Sequence, residues 1–201
     1  MQSVLESAIL HYSLLLQNVA DEVAKPLTLI FTKSLNESKL PEDWKRANIT
    51  AIYKKGARNE ASNYRPVSLT SVVCKILEAI IKEKLTRFLQ DKQWIVNEQH
   101  GFVSGRSCLT NLLETLEKWT EYLDAGHSLD VVYLDHRKAF DTIPHKRLLT
   151  KVSQAGVSGK VLHWIKAFLP DREMKVTVNG SASVWVPVTS GGTTALPNLR
   201  Q

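Results

Sequence analysis

Between Ser128 and Asp135 the chain reads "SLDVVYLD", and an unbroken run of β-forming apolar residues, Val131 to Leu134, stops at a carboxylate. A strand apolar on both sides is expected in the middle of a sheet whose two faces are covered. Ending it in a charge is costly unless that end opens into a crevice or the charge is paired. Carboxyl ends of central strands are where open α/β sheets place their ligands. Asp135 therefore has two readings, a site carboxylate or a strand-terminal Asp that caps a turn. Asp141, six residues on, is explained by capping of a helix that begins near Thr142 and Pro144.

The surrounding pattern supplies a mixed set of elements. Residues 3 to 24 place apolar groups at helical spacing, Pro26 is expected to end that helix, and residues 27 to 37 read as another. Pro41, Glu42 and Asp43 start a turn or short helix before the strand pattern "NITAIY". Residues 56 to 63 are loop-like. "YRPVSL" is extended because Pro66 pushes Arg65 out of the helical region, so the two segments form a β-hairpin with a basic loop. Amphipathic helices are expected over 71 to 90, with Val72, Ile76, Ala79, Ile80 and Leu85 inward, over 107 to 124, and over about 158 to 169. The alternation on either side of Asn179-Gly180 is a hairpin signal.

Charge and cysteine usage narrow the function classes. A net charge of +6 favours a polyanionic partner over an acidic one. Cys74 and Cys108 are the only cysteines and lie in no Cys-x-x-Cys pattern, which argues against a zinc site or a disulfide framework. The first 26 residues carry no basic leader, and polar residues interrupt their apolar run, so neither a secretion signal nor a membrane span is expected. The expected location is intracellular, nuclear or cytoplasmic.

A carboxylate at a strand end together with basic segments suits metal-assisted phosphoryl chemistry. Such chemistry uses two Mg²⁺ about 4 Å apart and needs more than one carboxylate to hold them. Six stretches then occur in a telling order: "LPEDWKRANITAIYKKG", "NYRPVSLTSVVCKILEAII", "NEQHGFVSGRSCLTNLL", "VVYLDHRKAFDTIPHKRLL", "GVSGKVLHWIKAFL" and "VNGSASVWVPVTSG". Over roughly residues 25 to 191 the chain closely resembles the reverse transcriptases of non-LTR (LINE-like, jockey-type) retrotransposons.

The resemblance implies an α+β right-hand polymerase fold, in which residues 1–40 are a helical N-terminal extension. Residues 41–127 would form a fingers-like subdomain and 128–201 a partial palm, divergent from about 192. It implies RNA-directed DNA polymerase activity with Mg²⁺ as cofactor and an RNA template, a DNA primer and deoxynucleotides as partners. Asp135 matches the first metal-binding catalytic Asp. Phe140 matches the aromatic gate beneath the sugar. Lys54 or Lys55, with Arg65, matches the fingers hairpin that grips the triphosphate. Gln99, Gly101, Phe102 and Arg106 match the next fingers motif. Each residue also has an ordinary role open to it: Phe140 as core, the two lysines as a solvated tip, His100 and His136 as structural or solvent-facing groups.

Two departures from the family pattern stand out. His136 and Arg137 follow Asp135 where small or apolar residues are usual, and no Asp-Asp pair occurs, so the Tyr-x-Asp-Asp turn is missing. The expectation is a C-terminally truncated fingers and partial palm, inactive alone. The alternative is a non-catalytic nucleic-acid-binding remnant, and a third possibility is a relic with apolar surface left open.

Overall fold

The computed structural model describes residues 18–136, 142–178 and 180–188. Helix α1 (Ala20–Glu37) contains Pro26 rather than ending there. Proline removes one hydrogen bond, from residue 26 to the carbonyl of Glu22. Both residues are exposed, so that carbonyl is open to solvent and the helix continues. A one-turn helix, α2 (Glu42–Lys45), follows Pro41 and buries Trp44.

The expected hairpin forms from β1 (Arg46–Tyr53) and β2 (Tyr64–Leu69), which pair antiparallel from Asn48↔Leu69 to Tyr53↔Tyr64. Four helices come next: α3 (Val72–Asp91), α4 (Cys108–Asp124), α5 (His145–Gln154) and α6 (Gly159–Phe168). The chain then returns to the sheet. β3 (Arg172–Val178) lies parallel to β1, with Arg46 opposite Glu173 and Thr50 opposite Thr177. A parallel neighbour needs a long crossover, which the helices supply. The short strands β4 (Ser181–Ala182) and β5 (Val186–Val188) pair antiparallel with the other edge of β3. Val178 faces Ser181, the register expected around Asn179-Gly180, although Asn179 itself lies outside the described residues.

The core sits between one face of this sheet and the helices. Ala47 and Ile49 alternate inward along β1. Phe31, Trp44, Cys74, Leu77, Trp164, Phe168 and Leu169 form the buried cluster, with Trp164 stacked on Phe168 at 4.8 Å. The Trp164 indole donates to Ser34 Oγ at 3.0 Å, and Ser34 in turn donates to the Lys39 carbonyl at 2.7 Å, tying α6 to the end of α1. Helix α3 is rotated from its expected orientation. Cys74, Leu77 and Glu78 are the residues it buries, while Ala79 and Ile80 are exposed.

The largest difference concerns the stretch that opened the sequence reading. Residues 131–136 form no strand, and Val132, Tyr133 and Leu134 are 79%, 80% and 84% exposed. A continuous apolar run specifies a strand only if neighbours supply its ladder hydrogen bonds and cover both faces. Among the described residues no strand does so.

Candidate nucleotide-binding site

The β1–β2 hairpin builds its own tip. The ladder runs one step past the strands, where Lys54 N–H donates to the Asn63 carbonyl at 2.9 Å. Tyr53 donates its hydroxyl to the Gly56 carbonyl, and Tyr64 donates to that of Arg58 at 2.8 Å. The Asn63 amide donates to the Ala57 carbonyl at 2.8 Å. The two tyrosine rings meet edge to face at 5.6 Å, and the Arg58 guanidinium lies 5.3 Å from the Tyr53 ring centre. Gly56 has φ +90°, and a Cβ there would lie 2.6 Å from the Asn63 amide nitrogen, so both the backbone and the space require glycine.

Onto this braced tip the sequence places three cations. Arg65 stands opposite Ile52, and the two-residue period of the strand puts Lys54 on the same side. Lys55 follows directly. All three are exposed, and their side chains form no ion pair with another described residue. Exposed cations with no carboxylate partner among the described residues give this hairpin a positive electrostatic character that attracts anions.

Gln99 and Arg106 are brought together in the following connection. Arg106 donates to the Gln99 carbonyl at 3.2 Å, and the Gln99 amide donates to the Gly101 carbonyl at 2.9 Å. Between them His100 is buried and structural. Its ring nitrogens contact Thr110 Oγ1 and Glu114 Oε2, each at 3.0 Å, which ties the connection to the start of α4. That start is a reciprocal cap between Ser107 and Thr110. No hydrogen bond or ion pair joins Gln99 or Arg106 to the hairpin cations. Gln99 also lines an apolar cavity of about 500 Å³ between α3, α5 and α6.

Asp135 is exposed on backbone that belongs to no strand. Among the described residues no group of three or more His, Cys, Asp or Glu side chains could hold a metal ion. The described donor set therefore does not fit a pair of Mg²⁺ ions, which require several carboxylate oxygens. Phe140, Asp141 and Arg137 lie outside the described residues, whereas His136 is exposed beside Asp135.

A buried polar cluster escaped the sequence reading. Cys74 donates its thiol to Glu78 Oε1 at 3.2 Å, and Glu78 is 3% exposed. Glu78 Oε2 and Arg172 Nη2 find no hydrogen-bond partner. Burial, opposed by the Cys74 hydrogen bond and the charges of Arg172 and Lys75, raises Glu78 to about 7. Burial also pushes the Cys74 thiol up and Arg172 down. The Arg172 guanidinium lies 4.6 Å from the Phe168 ring centre. The available signal was a glutamate inside the Cys74–Leu77–Ile81 stripe of α3.

The hairpin, the connection that follows it and the later sheet strands occur in the order of a known polymerase pattern, and residues 52–195 match the family described as reverse transcriptase (RNA-dependent DNA polymerase). The chain belongs to that family. Its relatives make it a reverse transcriptase domain of the non-LTR kind. It is 29% identical over 159 residues to a probable RNA-directed DNA polymerase from transposon BS of Drosophila melanogaster, covering 79% of this chain and 17% of the relative. To the RNA-directed DNA polymerase from mobile element jockey of Drosophila funebris it is 33% identical over 171 residues, 81% of this chain and 18% of the relative. The polyprotein of the type-1 retrotransposable element R2 of Popillia japonica is 25% identical over 139 residues, 69% of this chain and 19% of the relative. The chain thus spans less than a fifth of the length of these relatives.

Proposed function

We propose that this reverse transcriptase domain carries the nucleotide- and template-gripping part of an RNA-directed DNA polymerase. The observation that carries the reading is the braced hairpin, which presents Lys54, Lys55 and Arg65 without a carboxylate partner among the described residues, inside the family match. Arg65 offers a planar fork suited to two phosphate oxygens, and the lysines supply point charges beside it. A hairpin held by Tyr53, Asn63 and Tyr64 keeps these donors aimed before the triphosphate arrives, which lowers the ordering cost of binding. Gln99 and Arg106 form a second polar group for the nucleotide or template. Phe140 as sugar gate and Asp135 as metal ligand complete the reading by resemblance. The described carboxylates do not make a two-ion site for Mg²⁺.

A second reading, a domain that binds nucleic acid without extending a primer, is favoured by the lack of a metal-binding group around Asp135 among the described residues. Primer extension on an RNA template, with Mg²⁺ and deoxynucleotides, separates the two. Extension that disappears in Asp135→Asn establishes the polymerase. Template binding with no extension, weakened by neutralising Lys54, Lys55 and Arg65, leaves the binding function alone. A triphosphate affinity indifferent to those three changes overturns the hairpin assignment.

A further inference from the structure

The sheet has a second face, turned away from the core. Arg46, Asn48, Thr50 and Ile52 alternate outward along β1 while Ala47 and Ile49 point inward. The register carries this outer face across the sheet, placing Lys175 beside Asn48 and Arg65 beside Ile52. At its β5 edge Trp185 is 38% exposed. Lys175 Nζ and the Arg46 guanidinium lie over its indole, 4.7 Å and 5.4 Å from the ring centroid. Ser183 fixes this segment against β3 by accepting from Val176 N–H at 3.0 Å and donating its own N–H to the Val176 carbonyl at 2.9 Å.

We propose that the open face of the sheet, centred on Trp185 between Arg46 and Lys175, is a stacking platform for single-stranded nucleic acid. An accessible aromatic ring beside cations is what a base and its phosphate need together, and it serves any base because every base has a π-face. The charge on the face supports a polyanion. Arg46 is partly offset by Glu173 at 3.1 Å and Glu42 at 3.9 Å, whereas Lys175 has no ion-pair partner among the described residues. Arg65 lies on the same face, six residues along β1 from Arg46, or about 20 Å at strand spacing. A strand lying on Trp185 therefore runs over a positive surface toward the hairpin cations. The inference rests on the polymerase reading for its partner, and it adds the surface.

The test is fluorescence anisotropy of the full chain with short labelled oligo(U), oligo(dT) and a duplex. Trp185→Ala is expected to weaken both single strands about ten-fold, while Trp185→Phe keeps a ring and stays within about two-fold of the parent. Lys175→Gln should lower the slope of log affinity against log salt by about 0.7. Equal losses in the Ala and Phe variants would mean a structural role and would overturn the platform. So would single-strand binding unchanged by Trp185→Ala, tighter duplex binding indifferent to it, or no single-strand binding by the parent. Triphosphate binding at Lys54, Lys55 and Arg65 is measured in the same preparations. A platform that fails while that binding persists leaves the polymerase reading intact.

Discussion

Glu78 shows how one buried carboxyl sets the pH response of a fold. Burial raises it from 4.5 to about 7, and the groups facing it are Cys74, Lys75 and Arg172. Between those two values the unfolded chain releases the proton while the folded chain retains it. Its contribution is therefore fully present below about pH 4.5, falls as pH rises toward 7, and stays lost above that. The shift corresponds to about 3 kcal/mol. Urea melts across this range should show wild-type stability falling with pH relative to Glu78→Gln. Parallel curves for the two proteins would show that Glu78 ionises freely in the fold. The sequence offered only a faint mark of this residue, because a glutamate in an apolar stripe also reads as the edge of a helix face.

At the scale of elements, what was legible was local. The β1–β2 hairpin follows from alternation over residues 48–53, a loop over 56–63 and Pro66 fixing Arg65 as extended, all within one short stretch. The strand expected over 128–135 does not form, because its existence depends on partners distant in sequence. Pro26 misled for the opposite reason: a local rule met an exposed helix whose freed carbonyl is open to solvent. Of the candidate site residues, Lys54, Lys55 and Arg65 are exposed on one hairpin, Arg106 bonds the Gln99 carbonyl, and Asp135 has no metal-binding group around it among the described residues. The hairpin gives a test that touches no cation. Gly56→Ala introduces a Cβ at φ +90° and 2.6 Å from the Asn63 side chain. The expected cost is about 1–3 kcal/mol of local order. Hydrogen exchange at the Lys54 amide should accelerate and triphosphate affinity should drop several-fold, with the global melting temperature nearly unchanged. Unchanged exchange and affinity would mean that the tip is not held by this contact.

Among the described residues the apolar surface is unevenly covered. Helix α4 buries none of its residues, although it is capped at its start and tied down through His100. Leu109, Leu112, Leu113 and Leu116 share one face of it and are all exposed, as are Val132 and Leu134. Exposed apolar area on this scale favours association, since covering it releases about 25 cal/mol per Å². The chain should therefore self-associate with rising concentration, measured by sedimentation velocity. Replacing Leu109 and Leu113 together by Glu should shift it toward monomer. Because neither leucine is buried, the melting temperature of dilute protein should change by no more than an exposed substitution allows, about 0.5 kcal/mol per site. A large loss of stability would instead show that this face packs against the chain's own residues. Association that persists unchanged would move its source to the 131–134 stretch, where Val131→Glu provides the corresponding test.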